Sequence, residues 1–217
     1  MEPYFAGERL WAAGTTSLEL YVVPDLDVDR SLGSVLDHAA RVLEPLPQVA
    51  LTPYHATILP ITRTPAALIE QSRRRALGTS IEDVTSVTPA FEILAGPPQA
   101  GSMGVLMDTY PDTQVNDLVS RLRLAITQVV PDSTAAGYNN PAHLTLGYGR
   151  QHADSGLITS ALRRGVRPSH APLTISRLLL VRTRQDVERC QFRWRVVRDF
   201  PLAAAPRTAV LRPSSGS

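Results

Sequence analysis

Two short segments of the chain share a pattern of histidine, any residue, threonine and an apolar residue. Residues 55–58 read HATI and residues 143–146 read HLTL; each follows a proline and lies in an apolar run. An imidazole can accept or donate a proton near neutral pH. Two imidazoles beside one phosphorus atom could take a proton from an attacking oxygen and give one to a leaving oxygen. The two motifs therefore predict general acid–base chemistry by His55 and His143.

The threonine of each motif comes two residues after the histidine. Because side chains alternate across a β-strand, His55 shares a face with Thr57, and His143 shares a face with Thr145. A threonine hydroxyl can donate a hydrogen bond to a phosphoryl oxygen, where charge grows in the transition state. We therefore expect both pairs to face one solvated cleft that binds a phosphate. The alternative is two structural histidines, each hydrogen-bonded near its own threonine.

Residues near the motifs extend this predicted site. The alternation places Gly147 on the polar face of the second strand, where a ligand could come close, and Tyr148 on the apolar side, in the core. Tyr54 and Tyr138 are candidate base-stacking residues, with packing or loop capping as the alternative. Arg150 follows the second motif and is a candidate phosphate contact at the rim of the cleft.

The charged residues exclude some mechanisms and favour a phosphate-bearing partner. All 22 basic residues are arginine, which excludes a lysyl-nucleotide intermediate, Schiff-base chemistry and a P-loop lysine. Residues 1–110 contain 7 arginines and 13 acidic residues, whereas residues 111–217 contain 15 and 7. A basic half suits a phosphate-bearing partner, although a solvated arginine-rich surface would also account for it. Arg182 and Arg184 alternate onto one face of a late strand.

The sequence offers few residues for other chemistry. The one cysteine, Cys190, cannot form an internal disulfide and is interpreted as a packed or partly exposed thiol rather than a nucleophile. The histidines and this cysteine are too scattered for a zinc site, so we expect neither a metal nor another cofactor. We find no signal peptide and no apolar run long enough to span a bilayer. These features predict a cytoplasmic protein.

Apolar periodicity predicts a repeated order of strand, helix, motif strand and helix. The first set is a strand at 16–25, a helix that ends before Pro45, the HATILPI strand and a helix that begins at Thr64 and Pro65 and runs through Ala67 and Leu68 towards Arg75. The second set is a strand at 103–109, a helix over Val115–Val129, the HLTLGYG strand and a helix at 155–167. Further strands are predicted at 84–95, 174–184 and 191–200, with GPPQAGS as a turn.

The paired motifs resemble the H-x-T-x signature of the 2H (two-histidine) phosphoesterase superfamily. That superfamily includes the LigT-like bacterial 2′-5′ RNA ligases, the RNA 2′,3′-cyclic phosphodiesterases and the plant cyclic phosphodiesterases. The resemblance extends from about Ser17 to Leu202 and includes YVVP, FEILAGPPQAGSMGVLMD and LLLVRTR. It implies an α+β fold of two lobes with pseudo-twofold symmetry, in which two small sheets with outer helices flank a central cleft. His55 and His143 would be acid and base, and Thr57 and Thr145 would bind phosphate.

The residues and the resemblance together predict a phosphoesterase that needs no metal and no cofactor. Its substrate would be a cyclic phosphate or phosphodiester of a nucleotide or RNA end. One alternative is a non-catalytic module that binds a nucleotide or RNA phosphate, and another is a 2H enzyme acting on a small metabolite phosphate. We expect a monomer with no membrane partner, one domain over residues 1–202, and a disordered tail over residues 203–217.

Overall fold

A computed structural model describes residues 1–64 and 71–204. This part of the chain contains four α-helices and eight strands. The strands are β1 (Thr16–Val22), β2 (Val49–Thr64), β3 (Phe91–Ala100), β4 (Gly104–Tyr110), β5 (His143–Gly149), β6 (Ala171–Ile175), β7 (Arg177–Asp186) and β8 (Gln191–Pro201). The helices are α1 (Arg30–Leu43), α2 (Gln71–Thr85), α3 (Thr113–Val129) and α4 (Ser155–Gly165).

All eight strands form one sheet in the order β6-β3-β4-β5-β2-β1-β7-β8. Every neighbouring pair is antiparallel. The predicted α+β fold and the recurring order are confirmed, because β1-α1-β2-α2 in one half corresponds to β4-α3-β5-α4 in the other. The two predicted sheets, however, are one continuous sheet, because the motif strands β2 and β5 pair with each other at its centre.

The helices cover one face of the sheet with their apolar stripes. In α1 the buried positions are Leu32, Val35, Leu36, Ala39 and Leu43, which recur at the helical period. The corresponding stripe of α3 is Val115, Leu118, Leu122 and Ile126. They share a core with alternate strand residues such as Leu18, Leu20 and Leu144. Because strand side chains alternate, the intervening residues are left on the opposite face.

Two predicted boundaries differ from the structure. Helix α2 continues to Thr85, where a strand was expected, because Leu77, Ile81 and Thr85 recur every four residues on its buried side and this spacing outweighs local β-propensity. Strand β3 includes Pro97 and Pro98, which were expected in a turn. The register with β4 shifts between Ala95 and Pro98, and a β-bulge can accommodate a proline inside a strand.

Two predicted segments lie partly or wholly outside the described residues. The helix start at Pro65 and its positions Ala67 and Leu68 lie outside them. The predicted disordered tail lies outside them from residue 205. Ala203, the first residue of the predicted tail, is ordered. The Ala203 amide donates to the Thr88 carbonyl, and the Ala203 carbonyl accepts from the Ala90 amide, at 2.8 Å each. In the described ranges, none of the helices combines the length and the apolar character that crossing a membrane requires.

Candidate active site

The pairing of β2 with β5 brings the two motifs together. His55 lies directly opposite Thr145, and Ala56 lies opposite Leu144. The same register continued by one residue places Thr57 opposite His143. Directly opposed residues of an antiparallel pair share a face of the sheet, so both histidines and both threonines lie on the face away from the helices. Residues 88 positions apart in the sequence are therefore neighbours across a single strand pair.

Each motif histidine is oriented by a carbonyl two residues before it. The Nδ1 atom of His55 lies 2.7 Å from the Pro53 carbonyl oxygen, and that of His143 lies 3.0 Å from the Pro141 carbonyl oxygen. A carbonyl can only accept, so Nδ1 must be the donor in both rings. Each Nε2 is therefore available for proton transfer. In a neutral ring it carries a lone pair and can accept a proton.

The His55 ring is enclosed by two tyrosines. It is only 1% exposed, stacks on Tyr21 with 4.6 Å between ring centroids, and its Nε2 lies 3.4 Å from the Tyr148 hydroxyl. Burial lowers the pKa of His55 to about 4, opposed in part by the Pro53 hydrogen bond and assisted by the nearby charge of His143. His55 is therefore neutral at pH 7, and its Nε2 accepts the hydrogen bond from Tyr148.

The expected solvated cleft is only partly present. His143 and Thr57 are half-buried, whereas Thr145 is 8% exposed and His55 is enclosed. Aromatic side chains account for the difference. The rings of Tyr4 and Phe5 pack on Tyr148 at 4.7 Å and 5.5 Å, and this packing covers the His55 side of the site.

Glu19 and Tyr21 also lie at the site and were not among the predicted site residues, and Tyr148, which was not predicted to face the site, reaches it. The Tyr21 hydroxyl is hydrogen-bonded to the side chains of Glu19 and Thr57, and the Tyr148 hydroxyl is hydrogen-bonded to Thr145. Burial raises the pKa of both tyrosines well above the usual value, so both hydroxyls keep their protons. The polar positions of the alternating segment LELYV were a usable signal for Glu19 and Tyr21.

Glu19 anchors this hydrogen-bonded network from inside the sheet. The carboxylate is buried and accepts a hydrogen bond of 3.0 Å from the hydroxyl of Thr183 on β7. The Tyr21 hydroxyl donates to the same carboxylate and accepts from Thr57, because a carboxylate cannot donate. One motif threonine is thus oriented by a chain of polar contacts through β1 to β7.

The faces predicted for Gly147 and Tyr148 are wrong, because β5 contains a bulge, although Tyr148 is buried as expected. Val105 and Leu106 of β4 are adjacent, but their partners on β5 are Gly147 and Thr145, so Leu146 is an extra residue. An extra residue shifts the alternation by one. Tyr148 therefore reaches the histidine face, whereas a side chain at Gly147 would meet the Ala50 carbonyl oxygen at 2.7 Å.

The other predicted contacts occupy different parts of the fold. Tyr138 lies near the site, where burial raises its pKa to about 12 with contributions from Glu19 and Tyr4, against a hydrogen bond from Asn140 that lowers it. Tyr54 lies on the helix side, where burial and the charges of Asp37 and Glu44 raise its pKa.

Arg150 is remote from the histidines. It follows the last residue of β5, whereas His143 is the first, and the rise of a strand separates the two by roughly 20 Å. Its amide donates to the Gln48 carbonyl. Across residues 1–64 and 71–204, no three His, Cys, Asp or Glu side chains are grouped as metal ligands would be.

Comparison with known proteins finds similarity in structure only. No protein-family model and no curated protein matches the sequence. The Thermus thermophilus protein TT0787 superposes with a TM-score of 0.62 at 15% identity, and Escherichia coli LigT complexed with 3′-AMP with a TM-score of 0.59 at 12% identity. A crystal structure described as a phosphoesterase gives 0.60 at 11% identity. Each comparison covers 87% of this chain and 98% of the other. The chain therefore has the LigT-like fold of the 2H phosphoesterases.

Proposed function

We propose that this chain is a phosphoesterase that hydrolyses a cyclic phosphate or phosphodiester of a nucleotide or RNA end without a metal. The observation that carries the proposal is the β2–β5 register, which sets His55 opposite Thr145 on one face of the sheet. The LigT-like fold supports it, and E. coli LigT has been crystallised with 3′-AMP and with ATP. The fold alone does not specify an activity, so the proposal depends on the site.

The two histidines have different roles in the proposed reaction. His55 is the general base, because its pKa of about 4 leaves Nε2 unprotonated at neutral pH. It takes a proton from water as the water oxygen attacks phosphorus. His143 is the general acid and gives its Nε2 proton to the leaving oxygen as the phosphorus–oxygen bond breaks. One proton is taken up and one is released, so neither a metal nor a covalent intermediate is required.

The two threonines bind the phosphoryl group in this proposal. Their hydroxyls now bond to Tyr21 and Tyr148. A rotation about one side-chain bond would redirect each hydroxyl proton to a non-bridging oxygen, where charge increases in the transition state. Tyr148 must also release the Nε2 of His55 before a water molecule can reach it, because the two atoms are 3.4 Å apart.

Replacing either histidine tests the mechanism directly. His55→Ala and His143→Ala are each expected to lower turnover by about 10²–10⁴-fold, because each removes one proton-transfer group. The assay is a panel of 2′,3′-cyclic nucleotides and of 2′-5′ and 3′-5′ dinucleotides, with products identified by mass spectrometry. His152→Ala is the matched control, because His152 is exposed and lies past the end of β5 opposite to His143; it should retain wild-type turnover.

Two results would contradict the proposal. Near-wild-type turnover by either histidine variant on the best substrate of the panel would exclude acid–base catalysis by the pair. Activity is also expected to persist in EDTA. A loss that a divalent ion restores would instead indicate metal catalysis.

The burial of His55 favours one alternative, a non-catalytic module that binds a nucleotide or RNA phosphate. A ring that is 1% exposed and bonded to Tyr148 could have a structural role. An enzyme and a binding module would both bind a cyclic nucleotide, but only the enzyme would hydrolyse it. Phosphorus NMR of wild-type protein incubated with a 2′,3′-cyclic nucleotide distinguishes them, since binding without a new phosphomonoester resonance would support the module.

A further inference from the structure

Four arginines form a cluster on the β7–β8 hairpin, which we call the arginine square. Arg182 lies directly opposite Arg195, and Arg184 lies directly opposite Arg193. Opposed residues of an antiparallel pair share a face, and so do residues two apart on one strand. All four guanidinium groups therefore project from the same face of the hairpin, with opposed Cβ atoms about 5 Å apart.

The arginine square faces away from the histidines. Phe192 and Trp194 alternate with the β8 arginines along the strand, and both rings point towards the site. The ring of Trp194 contacts Tyr21 edge-on at 5.8 Å, and that of Phe192 contacts Tyr148 at 5.5 Å. The proposed catalytic chemistry does not use these arginines, so their arrangement needs another explanation.

The positive charge of this cluster is poorly neutralised. Like charges directly opposite each other destabilise a strand pair. In the described ranges, no carboxylate lies within 4.0 Å of the guanidinium groups of Arg182, Arg184 or Arg195, whereas Arg193 has a contact of 3.7 Å with Asp186. Asp186 is shared with Arg189. Three guanidinium groups that the described part of the chain does not pair with a carboxylate therefore lie together.

Arg182 is the most constrained member. Its Nε atom is buried, and residues 1–64 and 71–204 offer it no hydrogen-bond partner, so this part of the chain leaves one donor of the guanidinium fork unsatisfied. Partial burial, followed by the charges of Arg195 and of Arg74 on α2, lowers its pKa. Arg74 therefore extends the positive surface onto the neighbouring helix. An anion bound here would relieve the repulsion between the guanidinium groups.

We infer that the arginine square binds the phosphate backbone of a single-stranded RNA whose end reaches the histidine face. The choice of RNA rests on the proposed function. Guanidinium forks match phosphate oxygens, and β8 is one of the two edge strands of the sheet. A strand passing around this edge would meet arginines on one face and Phe192 and Trp194 on the other, and aromatic rings next to cationic side chains suit single-stranded nucleic acid.

The test compares two double variants with the same loss of charge. R182Q/R195Q removes one opposed pair of the arginine square. R163Q/R164Q is the control, because both residues are exposed in the last turn of α4. The probe is a fluorescein-labelled, 2′-O-methylated 12-nucleotide RNA that cannot form a cyclic phosphate, and binding is followed by fluorescence anisotropy at several salt concentrations.

R182Q/R195Q is expected to bind the RNA at least about tenfold more weakly at low salt. The slope of log affinity against log salt concentration should be less negative by about 1.4, the value for two lost phosphate contacts on a single strand. R163Q/R164Q should bind within about twofold of wild type. The melting temperature of R182Q/R195Q should be unchanged or raised, because the substitution removes repulsion, so a folded variant is expected.

Several results would overturn the inference. One is RNA binding by R182Q/R195Q that equals that of wild type, and another is an equal loss of RNA affinity in the α4 control R163Q/R164Q. A third is that R182Q/R195Q loses binding to phosphatidylserine vesicles but keeps its binding to RNA, which would indicate a membrane surface. If R182Q/R195Q does not fold, R184Q/R193Q replaces it with the same expectation. H143A should still bind the RNA. If RNA binding depends on the arginine square but the wild-type protein shows no turnover, only the proposed function is refuted. If the wild-type protein shows turnover but RNA binding does not depend on these arginines, only this inference is refuted.

Discussion

At the scale of single residues, two motifs of the same pattern acquire different properties from their neighbours. Both histidines donate Nδ1 to a proline carbonyl two residues earlier. Tyr21 and Tyr148 enclose only His55, and burial lowers its pKa to about 4. His143 stays half-buried. The difference supports the proposed assignment of His55 as base and His143 as acid.

The lowered pKa of His55 predicts a dependence of stability on pH. The unfolded chain binds a proton below about pH 6.5, whereas the folded protein does so only near pH 4. The contribution of neutral His55 to the free energy of unfolding is therefore fully present above pH 6.5 and is lost as the pH falls towards 4. Between pH 7.5 and pH 4.5 this loss is about 2–3 kcal/mol. Urea unfolding of wild-type protein and His55→Gln at both pH values measures it.

The comparison with His55→Gln isolates the contribution of this one group. The other titrating groups are common to both proteins, so the variant should lose less unfolding free energy than wild type over the same interval. Equal losses in the two proteins would mean that His55 is protonated as readily in the folded state as in the unfolded state. Its assignment as a neutral base would then be wrong.

At the scale of elements, the bulge in β5 determines which side chains reach the site. The extra residue, Leu146, stays in the core with Leu144. It shifts the residues that follow, so that Tyr148 faces His55 and Gly147 faces β2. Gly147 is required there because the backbone of β2 leaves no space for a side chain.

Gly147→Ala is expected to destabilise the protein. The new Cβ would lie 2.7 Å from the Ala50 carbonyl oxygen and 2.9 Å from a Val49 methyl carbon, so backbone must move. Overpacking of this kind costs about 1–3 kcal/mol. Gly137→Ala is the control, because a Cβ there meets nothing within 4 Å; it should change stability by less than about 0.5 kcal/mol. Denaturant unfolding compares them, and equal stabilities would contradict the bulge geometry.

At the scale of the whole molecule, one sheet and one core join the two halves. The β2–β5 pair joins two halves of four strands each, and a single apolar cluster includes residues of all four helices. Because the candidate site lies on this central pair, its geometry depends on both halves. We therefore propose that the two lobes unfold as a unit.

Unfolding is expected to be a single cooperative transition. Trp11 and Trp194 both report on the half that contains β1, β7 and β8, because Trp11 packs on Phe192 and Trp194 on Tyr21. Far-UV circular dichroism reports on all elements. The fluorescence and dichroism midpoints in urea should therefore coincide. Dichroism that continues to change after the fluorescence transition is complete would show that the halves unfold separately.

The sequence alone determined the periodic elements and the motif residues. The stripes of α1 and α3 and the strand HLTLGYG follow from local periodicity, which neighbouring residues carry by themselves. The paired His-x-Thr pattern likewise indicated the candidate residues and the LigT-like fold. The elements and each single motif depend on residues a few positions apart in the chain, whereas the fold followed from the resemblance of the paired motifs.

Only the tertiary structure decided how these elements combine. The β2–β5 register, the bulge at Leu146 and the enclosure of His55 by Tyr21 and Tyr148 depend on strands far apart in sequence. The opposition of Arg182 and Arg195 depends on the register of the β7–β8 hairpin, which the alternation within one strand does not specify. The alternation of side chains along a strand predicts which residues share a face only as far as the first bulge, where an extra residue shifts the pattern. It also does not specify which strand lies next to it. The pKa of His55 and the unneutralised charge of the arginines arise from those neighbours.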